Sequence, residues 1–405
     1  MITSKIERLD DEGRGIAYNE GKVVFIPDTL PKEEVEYEIT LDKKNFSEGK
    51  LINILQENKN RVLPKCPLYN ICGGCSLMHS NIGFQEDYKS NKIKSILRRY
   101  ANIDTDIKFV KSNKDLFYRN KVVLKVENNK WGYYRKASHD LLEIDSCLLV
   151  NNNINEVIRN HDYINIIDGE ITIRTNYEDK ILISITSDKK VNIDKENIPS
   201  NVIGIVINKE TIYGDNYFYD MISDIKFKVS YNSFFQINNY IAGEIFDILR
   251  CNLEGENLLD LYCGVGTLGL SLSKKYKNIY GIEKIKNAIE DAKLNAKNND
   301  IENTHFYVGD TGTVLKDIDV SFDTVIIDPP RSGLNEETLQ YILESKPKII
   351  AYISCNTITL ARDLNKIKEV YNLKKVTGLD MFPNCHDVEC VCLLERRTPW
   401  ITDTK

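Results

Sequence analysis

Short runs in the first 58 residues alternate apolar with polar positions, the period of a half-buried strand. They are KVVFIP from Lys22, VEYEITLD from Val35 and EGKLINIL from Glu48. Turn-forming groups break them: Asp10-Asp11-Glu12-Gly13, Glu20-Gly21 and Pro27-Asp28. About five short strands in so short a segment predict a small closed β-barrel. Residues 81–100 (NIGFQEDYKSNKIKSILRRY) instead predict a basic amphipathic helix, and from 105 to 230 β-type runs return as FYRNKVVLKVE, KWGYYRK, GEITIRT, KILISITS and VIGIVIN. From 256 the pattern becomes apolar strands alternating with helices: NLLDLYC, NIYGIE, HFYVGD, DTVIIDPP and PKIIAYISC, with a helix expected from 357. Such alternation predicts a parallel sheet covered by helices on both faces, with ligands at the carboxyl ends of its strands. The 405 residues therefore divide into an all-β unit at 1–58, a β-rich unit at 59–230 and an α/β unit at 231–405, the helix near 81–100 being free to pack on the last.

Charge alters this picture only when it is divided the same way. The chain has 54 basic and 60 acidic residues, a net −6. Residues 59–136 hold 17 basic and 6 acidic side chains (+11), whereas 1–58 are at −5 and 137–405 at −12. A positive block of this size fits either a phosphate-binding surface or a solvated Lys-rich face. Within it, Tyr118 beside Arg119 and Tyr133-Tyr134 beside Arg135-Lys136 are candidates to stack on bases and hold phosphates, or to sit on the outer face of a sheet. No run approaches the roughly 18 apolar residues of a membrane span, and the first residues, MITSKIERLDDEG, are too charged for a signal peptide. A cytoplasmic, monomeric enzyme with no membrane partner is expected. Its ten cysteines are then metal ligands, nucleophiles or small buried residues in preference to disulfide partners.

Candidate chemistry gathers at the strand ends. Leu258 to Thr267 (LLDLYCGVGT) is a strand running into a glycine turn that opens a helix, where exposed amides attract a carboxylate or phosphate. Phosphate, dinucleotide and packing readings all compete for a bare G-x-G. Glu283, which closes the second strand about 20 residues on, narrows them, since an acid there accepts both ribose hydroxyls. D-x-x-C-G-x-G with that acid resembles S-adenosylmethionine (SAM) methyltransferases. Asp310 then falls near the adenine. Asp328-Pro329-Pro330-Arg331 follows the fourth strand, and its prolines fix a rigid exit. Amino-methylating enzymes often have Asn-Pro-Pro-aromatic at this place, so Asp and Arg argue for a carbon or oxygen acceptor. Cys355, at the fifth strand's end and beside a helix N-terminus, is placed as a nucleophile or as a small buried residue. Cys66, Cys72 and Cys75 form C-x5-C-x2-C, with Cys147 downstream, and four thiolates hold either zinc or an iron–sulfur cube.

Taken together, Ser354-Cys355-Asn356, Ala361-Arg362-Asp363-Leu364, Asp328-Pro329-Pro330-Arg331-Ser332-Gly333 and Met381-Phe382-Pro383 with His386-Asp387-Val388-Glu389 resemble the RNA uracil-5-methyltransferase family. Asp11 to Ala17, followed by Val23 to Pro27, resembles the TRAM module, an OB-like barrel. The resemblance implies that Cys355 adds to carbon-6 of uracil and that Glu389 removes the proton from carbon-5, with His386 ranked below it as the base. It implies a SAM site from Gln236, Tyr262, Gly264, Thr267, Glu283, Asp310 and Asp328. The spacing around Cys66, Cys72, Cys75 and Cys147 matches the 4Fe-4S branch of the family. That family usually has Thr where this chain has Cys385, and Cys385, Cys390 and Cys392 are expected in the core. Cytosine-5 enzymes carry a Cys at the fourth-strand motif, which is absent here.

The expected fold is thus an N-terminal OB-like β-barrel, a β-rich central domain with an Fe-S cluster, and a C-terminal Rossmann-like SAM methyltransferase domain. The expected activity is SAM-dependent methylation of 23S rRNA, since bacterial relatives acting on the tRNA T-loop usually lack both barrel and cluster. A tRNA substrate is the alternative. A non-catalytic RNA-binding assembly factor does not explain an intact Cys355 and Glu389, and a small-molecule methyltransferase does not explain the units ahead of the catalytic one.

Overall fold

In the computed structural model, which describes residues 1–397, the alternating runs become three sheets. The first has six strands, in the order Ile2–Lys5, Glu34–Asp42, Phe46–Gln56, Lys22–Ile26, Gly15–Asn19 and Arg8–Leu9. Their inward residues Ile6, Ala17, Val24, Ile26, Val35 and Tyr37 make a small separate core. The sheet gains one strand over the expected five because Ile2–Lys5 pairs antiparallel with Glu34–Asp42.

The second sheet contains all five expected strands, as Lys121–Glu127, Lys130–Tyr134, Gly169–Thr175, Ile181–Thr186 and Val202–Ile207. Two short edge strands, Leu141–Glu143 and Glu210–Gly214, extend it to seven.

The third sheet has eight strands. In chain order they are β1 (Ile107–Val110), β2 (Gly255–Leu261), β3 (Tyr276–Glu283), β4 (Thr304–Val308), β5 (Thr324–Ile327), β6 (Ile349–Ser354), β7 (Tyr371–Leu379) and β8 (Glu389–Arg396). Their spatial order is β4-β3-β2-β5-β6-β8-β7-β1. The run from β4 to β6 is parallel, as the alternating pattern predicts, and β8 inserts antiparallel between β6 and β7. Reversing the chain at the β7–β8 turn returns residues 380–388 to the edge where the parallel strands end.

Two segments ahead of residue 231 pack with this third sheet. The hairpin of Tyr217–Ile222 and Ile225–Ser230 buries Phe218, Phe227 and Val229 in the same core as Ile245 and Phe246 of the helix Asn239–Asn252. The basic helix forms over Ile82–Ile96, capped by the Asn81 side chain, which accepts from the Phe84 N–H. Its Ile93 and Ile96 join the core of the third sheet, and β1 pairs parallel with β7.

The helix is not simply amphipathic: Gln85, Glu86 and Lys89 are buried along with Ile93 and Ile96. Lys89 is wholly enclosed, with Nζ 2.6 Å from Asp380 Oδ1 and 2.9 Å from the carbonyl of Phe382. Other members of the positive block also bind internally. Arg61 pairs with the buried Glu33 at 2.5 Å, and Lys136 with Asp28 at 2.9 Å, tying the first sheet to its neighbours. Part of the +11 is therefore structural cement and is not presented to a partner. No helix among the described residues is long and apolar enough to cross a membrane.

A buried cation and carboxylate hold each other in place, and removing one strands the other in low dielectric, at a cost of about 3–5 kcal/mol. Lys89→Met is accordingly expected to lower the melting temperature sharply, and Lys89→Leu combined with Asp380→Leu to recover most of the loss. A Lys89→Met protein that melts with the parent would show that the pair carries no such load.

Candidate functional site

The carboxyl ends of β2, β3, β5 and β6 bring most of the singled-out residues together. After β2 the chain turns at once: Tyr262 has φ +63°, and Gly264 and Gly266 are also left-handed. A Cβ built on Gly264 would meet nothing within 4 Å, so this turn faces an open cradle. Glu283, ending β3, accepts from the Gly264 N–H at 3.2 Å and from the Ile285 N–H at 2.9 Å, which fixes its carboxylate against the turn. Thr267 begins the short helix Thr267–Ser271. The Tyr262 hydroxyl lies 3.4 Å from Thr338 Oγ1, which is 2.7 Å from Thr311 Oγ1, next to Asp310. Asp310 itself caps the helix Thr311–Val314 through the Gly312 N–H. Gln236 is half-buried in the segment before the helix Asn239–Asn252, its carbonyl held by Asn120 Nδ2 at 2.9 Å, and its neighbour Phe235 packs in one core with Cys263 and Val265 of the glycine turn.

Asp260, inside the glycine motif, was not singled out by sequence reasoning. Its Oδ2 accepts from the Gly269 N–H at 2.8 Å, whereas its Oδ1 is buried without a partner. Burial, with Asp328 and Glu283 nearby, pushes its carboxyl up to about 8. Asp328, just past β5, is pushed by burial to about 7. Glu389, at the start of β8, is buried, and that burial followed by the charge of Asp328 holds its carboxyl well above the ordinary range. Cys355 lies beside both acids. Burial first, then Glu389, raise its thiol to about 11, while Arg331 acts in the opposite direction.

The loop that carries Arg331 is clamped by the residues after Cys355. Asn356 Nδ2 and Thr359 Oγ1 donate to the Arg331 carbonyl at 2.9 and 3.2 Å, and Arg362 Nη2 donates to the Ser332 carbonyl at 2.9 Å. Asp363 accepts from the Leu334 N–H at 2.9 Å and the Tyr352 hydroxyl at 2.8 Å. Gly333 (φ +79°) is enclosed so tightly that a Cβ would lie 2.5 Å from Arg362 Nη2. The Ser-Cys-Asn and Ala-Arg-Asp motifs thus hold the Asp-Pro-Pro-Arg loop against the strand end. The Arg331 side chain pairs with Asp387 at 3.0 Å.

Cys355 opens on a groove of about 500 Å³ whose walls come from distant parts of the chain. One side is Arg331, Asn356, His386 and Asp387; the other is Arg8, Arg14, Phe25 and neighbours from the first sheet, with Lys92 and Arg99 between. The Arg14 guanidinium sits 4.5 Å over the Phe25 ring. Nothing in the sequence pattern links these two walls.

Cys66, Cys72, Cys75 and Cys147 line a second cavity of about 320 Å³. No three Cys, His, Asp or Glu side chains among the described residues close around a single ion. Tyr118 and Tyr133, expected as base-stacking or surface residues, are enclosed here: the Tyr118 hydroxyl donates to the Pro383 carbonyl at 3.1 Å, and Tyr133 contacts Cys147. Cys390 and Cys392 are core residues as expected, with sulfurs 3.9 Å apart. Cys385 is buried but does not sit in that core. It packs beside Cys75, donates to the Gly74 carbonyl at 3.4 Å and lies 3.5 Å from Arg119 Nη2, because the β7–β8 turn meets the thiol-bearing loop at that point.

Comparison with known proteins agrees with this geometry. Residues 85–397 match the family described as tRNA (Uracil-5-)-methyltransferase, and residues 2–52 match the TRAM domain. An uncharacterized RNA methyltransferase of Staphylococcus aureus (strain MSSA476) is 34% identical, over 96% of this chain and 97% of its own. One from Clostridium acetobutylicum is 32% identical, over 96% of each. The crystal structure of Pyrococcus abyssi tRNA (uracil-54, C5)-methyltransferase, in complex with S-adenosyl-L-homocysteine, superposes with a TM-score of 0.79 at 26% identity, covering 97% of this chain and 100% of that one.

Alkylation of a cysteine follows its thiolate fraction. Site-resolved mass spectrometry is expected to show Cys355 reacting slowly at neutral pH and faster as the pH climbs toward about 11. Because Arg331 favours the thiolate, Arg331→Gln moves that profile to still higher pH. A profile that stays put, or moves down, would show that Arg331 does not act on the thiol.

Proposed function

The chain belongs to the tRNA (uracil-5-)-methyltransferase family, and from that premise we propose that it methylates carbon-5 of a uridine in 23S rRNA through a covalent Cys355 adduct. Family membership makes it a SAM-dependent RNA uracil-5-methyltransferase with an N-terminal TRAM domain. The observation that carries the finer reading is the convergence of Cys355, Asp328 and Glu389, with Cys355 open to a groove walled on its far side by the TRAM residues.

Carbon-5 of uracil is a weak nucleophile. In the proposed reaction the Cys355 thiolate bonds to carbon-6, and the displaced π pair makes carbon-5 an enolate carbon. S-adenosylmethionine supplies an electrophilic methyl group when bound. With methyl and proton both on carbon-5, the Glu389 carboxylate takes the proton; the freed pair re-forms the ring double bond and expels Cys355 as thiolate. A buried carboxylate is a stronger base than an exposed one, which suits Glu389 to this task. Arg331 balances the charge that Cys355 carries on entering and leaving the adduct.

The residues read as holding SAM are Gln236, Tyr262, Gly264, Thr267, Glu283, Asp310 and Asp328. The open cradle at Gly264 and the fixed carboxylate of Glu283 support this. Cys66, Cys72, Cys75 and Cys147 are read as ligands of a 4Fe-4S cluster; that all four line one cavity supports a shared group. That cluster is read as folding the central RNA-binding domain (59–230) beneath an OB-like barrel (1–58), with residues 231–405 as the methyltransferase domain of a cytoplasmic monomer. The rRNA reading rests on the resemblance of the thiol spacing to the cluster-bearing branch of the family, because the N-terminal unit is also covered by the match to the Pyrococcus tRNA enzyme. A tRNA substrate is the second reading, favoured by the full-length match to the Pyrococcus enzyme.

Glu389→Gln is expected to trap the methylated enzyme–RNA adduct, visible as a band resistant to denaturing gels, and Cys355→Ser to form none. Turnover at the parent rate in either variant contradicts the mechanism. In RNA from a strain lacking the gene, 5-methyluridine is expected to vanish from 23S rRNA. Loss from tRNA alone would establish the second reading instead. Iron and sulfide that persist in a Cys147→Ser protein would overturn the cluster assignment.

A further inference from the structure

The loop that bears the first three thiols also grips the turn leading to Glu389, and one side chain does so through its hydroxyl. Ser76 lies next to Cys75. Its N–H and that of Leu77 donate to the Asn384 carbonyl at 3.1 and 3.0 Å. Ser76 Oγ accepts from the His386 N–H at 2.8 Å and lies 3.1 Å from His386 Nδ1. Ser76 Oγ therefore holds His386 at two points, its backbone N–H and its ring nitrogen. His386 Nε2 then faces Asp387 Oδ1 at 3.6 Å, and the other oxygen of Asp387 receives Arg331 Nη2 at 3.0 Å. Arg331, Cys355, His386 and Asp387 share one groove. Hydrogen bonds thus join Ser76 to His386 and Asp387 to Arg331, and the peptide bond between His386 and Asp387 connects the two pairs beside the thiol.

We propose that Ser76 is a positioning residue for the addition step: it orients His386 and Asp387 so that Asp387 holds Arg331 against Cys355. This rests on the reading of Cys355 as nucleophile. The arrangement needs a hydroxyl at Ser76, since a methyl group there would satisfy neither the His386 N–H nor Nδ1. The charged and titratable groups facing His386 are Asp387, Lys92, Glu12 and Asp10; those facing Cys355 are Glu389, Arg331 and Asp328. None of the other groups bridges the two.

The test uses the full-length protein and 5-fluorouracil-containing substrate RNA, which arrests the adduct before proton removal. Ser76→Ala is expected to slow adduct formation about tenfold at neutral pH and to shift its pH profile upward. RNA affinity and iron content stay at parental levels, and Ser76→Thr restores both rate and profile. His386→Ala cuts the same link from the other side and gives the same shift, so the proposal stays testable if Ser76→Ala fails to fold. A parental pH profile in both alanine variants, or a rate loss explained wholly by weaker RNA binding, overturns the proposal. Adduct formation by Cys355→Ser would instead overturn the reading it rests on, so the two failures are distinguishable.

Discussion

One buried ammonium group governs the reactive end of the third sheet. Lys89, enclosed on the helix Ile82–Ile96, holds the Asp380 carboxylate and the Phe382 carbonyl, the two points at which the chain leaves β7 for its turn toward β8. Inside a protein such a pair is directional and costly to break. The helix therefore acts as a fixed rail for the turn, and Gln85 beside it fastens Asn384, whose N–H donates to Gln85 Oε1 at 2.8 Å. Asn384 needs that support, since it sits at φ +66°. Everything the turn presents to the site, namely His386, Asp387 and then Glu389, is aimed from these anchors. An otherwise polar helix is buried for this reason, and β1 follows it into the sheet as the outermost strand.

The site so framed is deficient in positive charge. Asp260, Asp328 and Glu389 crowd one strand edge, each raised by burial, and Asp260 keeps one oxygen without any partner. Such clustering is unfavourable in the empty protein and favours a ligand that brings a cation. The sulfonium of SAM is one. The acidic excess of residues 137–405 is thus partly concentrated at this strand edge, while Arg331 lies beside the thiol and is itself balanced by Asp387.

What was legible in the sequence was what short-range chemistry determines. Glycines in LYCGVGT and prolines in Asp328-Pro329-Pro330 each force a local geometry, so the strand ends were readable in place. Contacts between distant segments were not. Ser76 and His386 are 310 residues apart, and no periodicity couples them. Cys385 is a core residue as expected, but which core it joins was not legible, since that is set by where the β7–β8 turn lands. The positive block misled in another way: composition counts Lys89, Arg61 and Lys136 as free charge, but each pairs with a carboxylate of the chain itself, two of them in the loop between Lys22–Ile26 and Glu34–Asp42.

The groove itself then limits how RNA can reach the thiol. Its volume of about 500 Å³ is on the scale of a nucleotide and far below that of a duplex, and its walls are fixed by separate anchors. Enzymes that act on a base in such a setting work on single strands or turn the base out of the stack, at a cost of about a few kcal/mol per base. Favourable contacts must offset that cost, and the wall opposite Cys355 offers the chemistry: Arg8, Arg14 lying over Phe25, Lys92 and Arg99 combine cations with an aromatic face. Asp10 holds Arg14 in position by accepting from its N–H at 2.8 Å and its Nε at 2.8 Å, so the guanidinium is ordered before any RNA arrives. The same wall is fastened to the helix that anchors the β7–β8 turn: the Tyr88 hydroxyl donates to the Asp10 carbonyl at 2.8 Å, and Arg99, just past that helix, pairs with Asp11 at 3.4 Å.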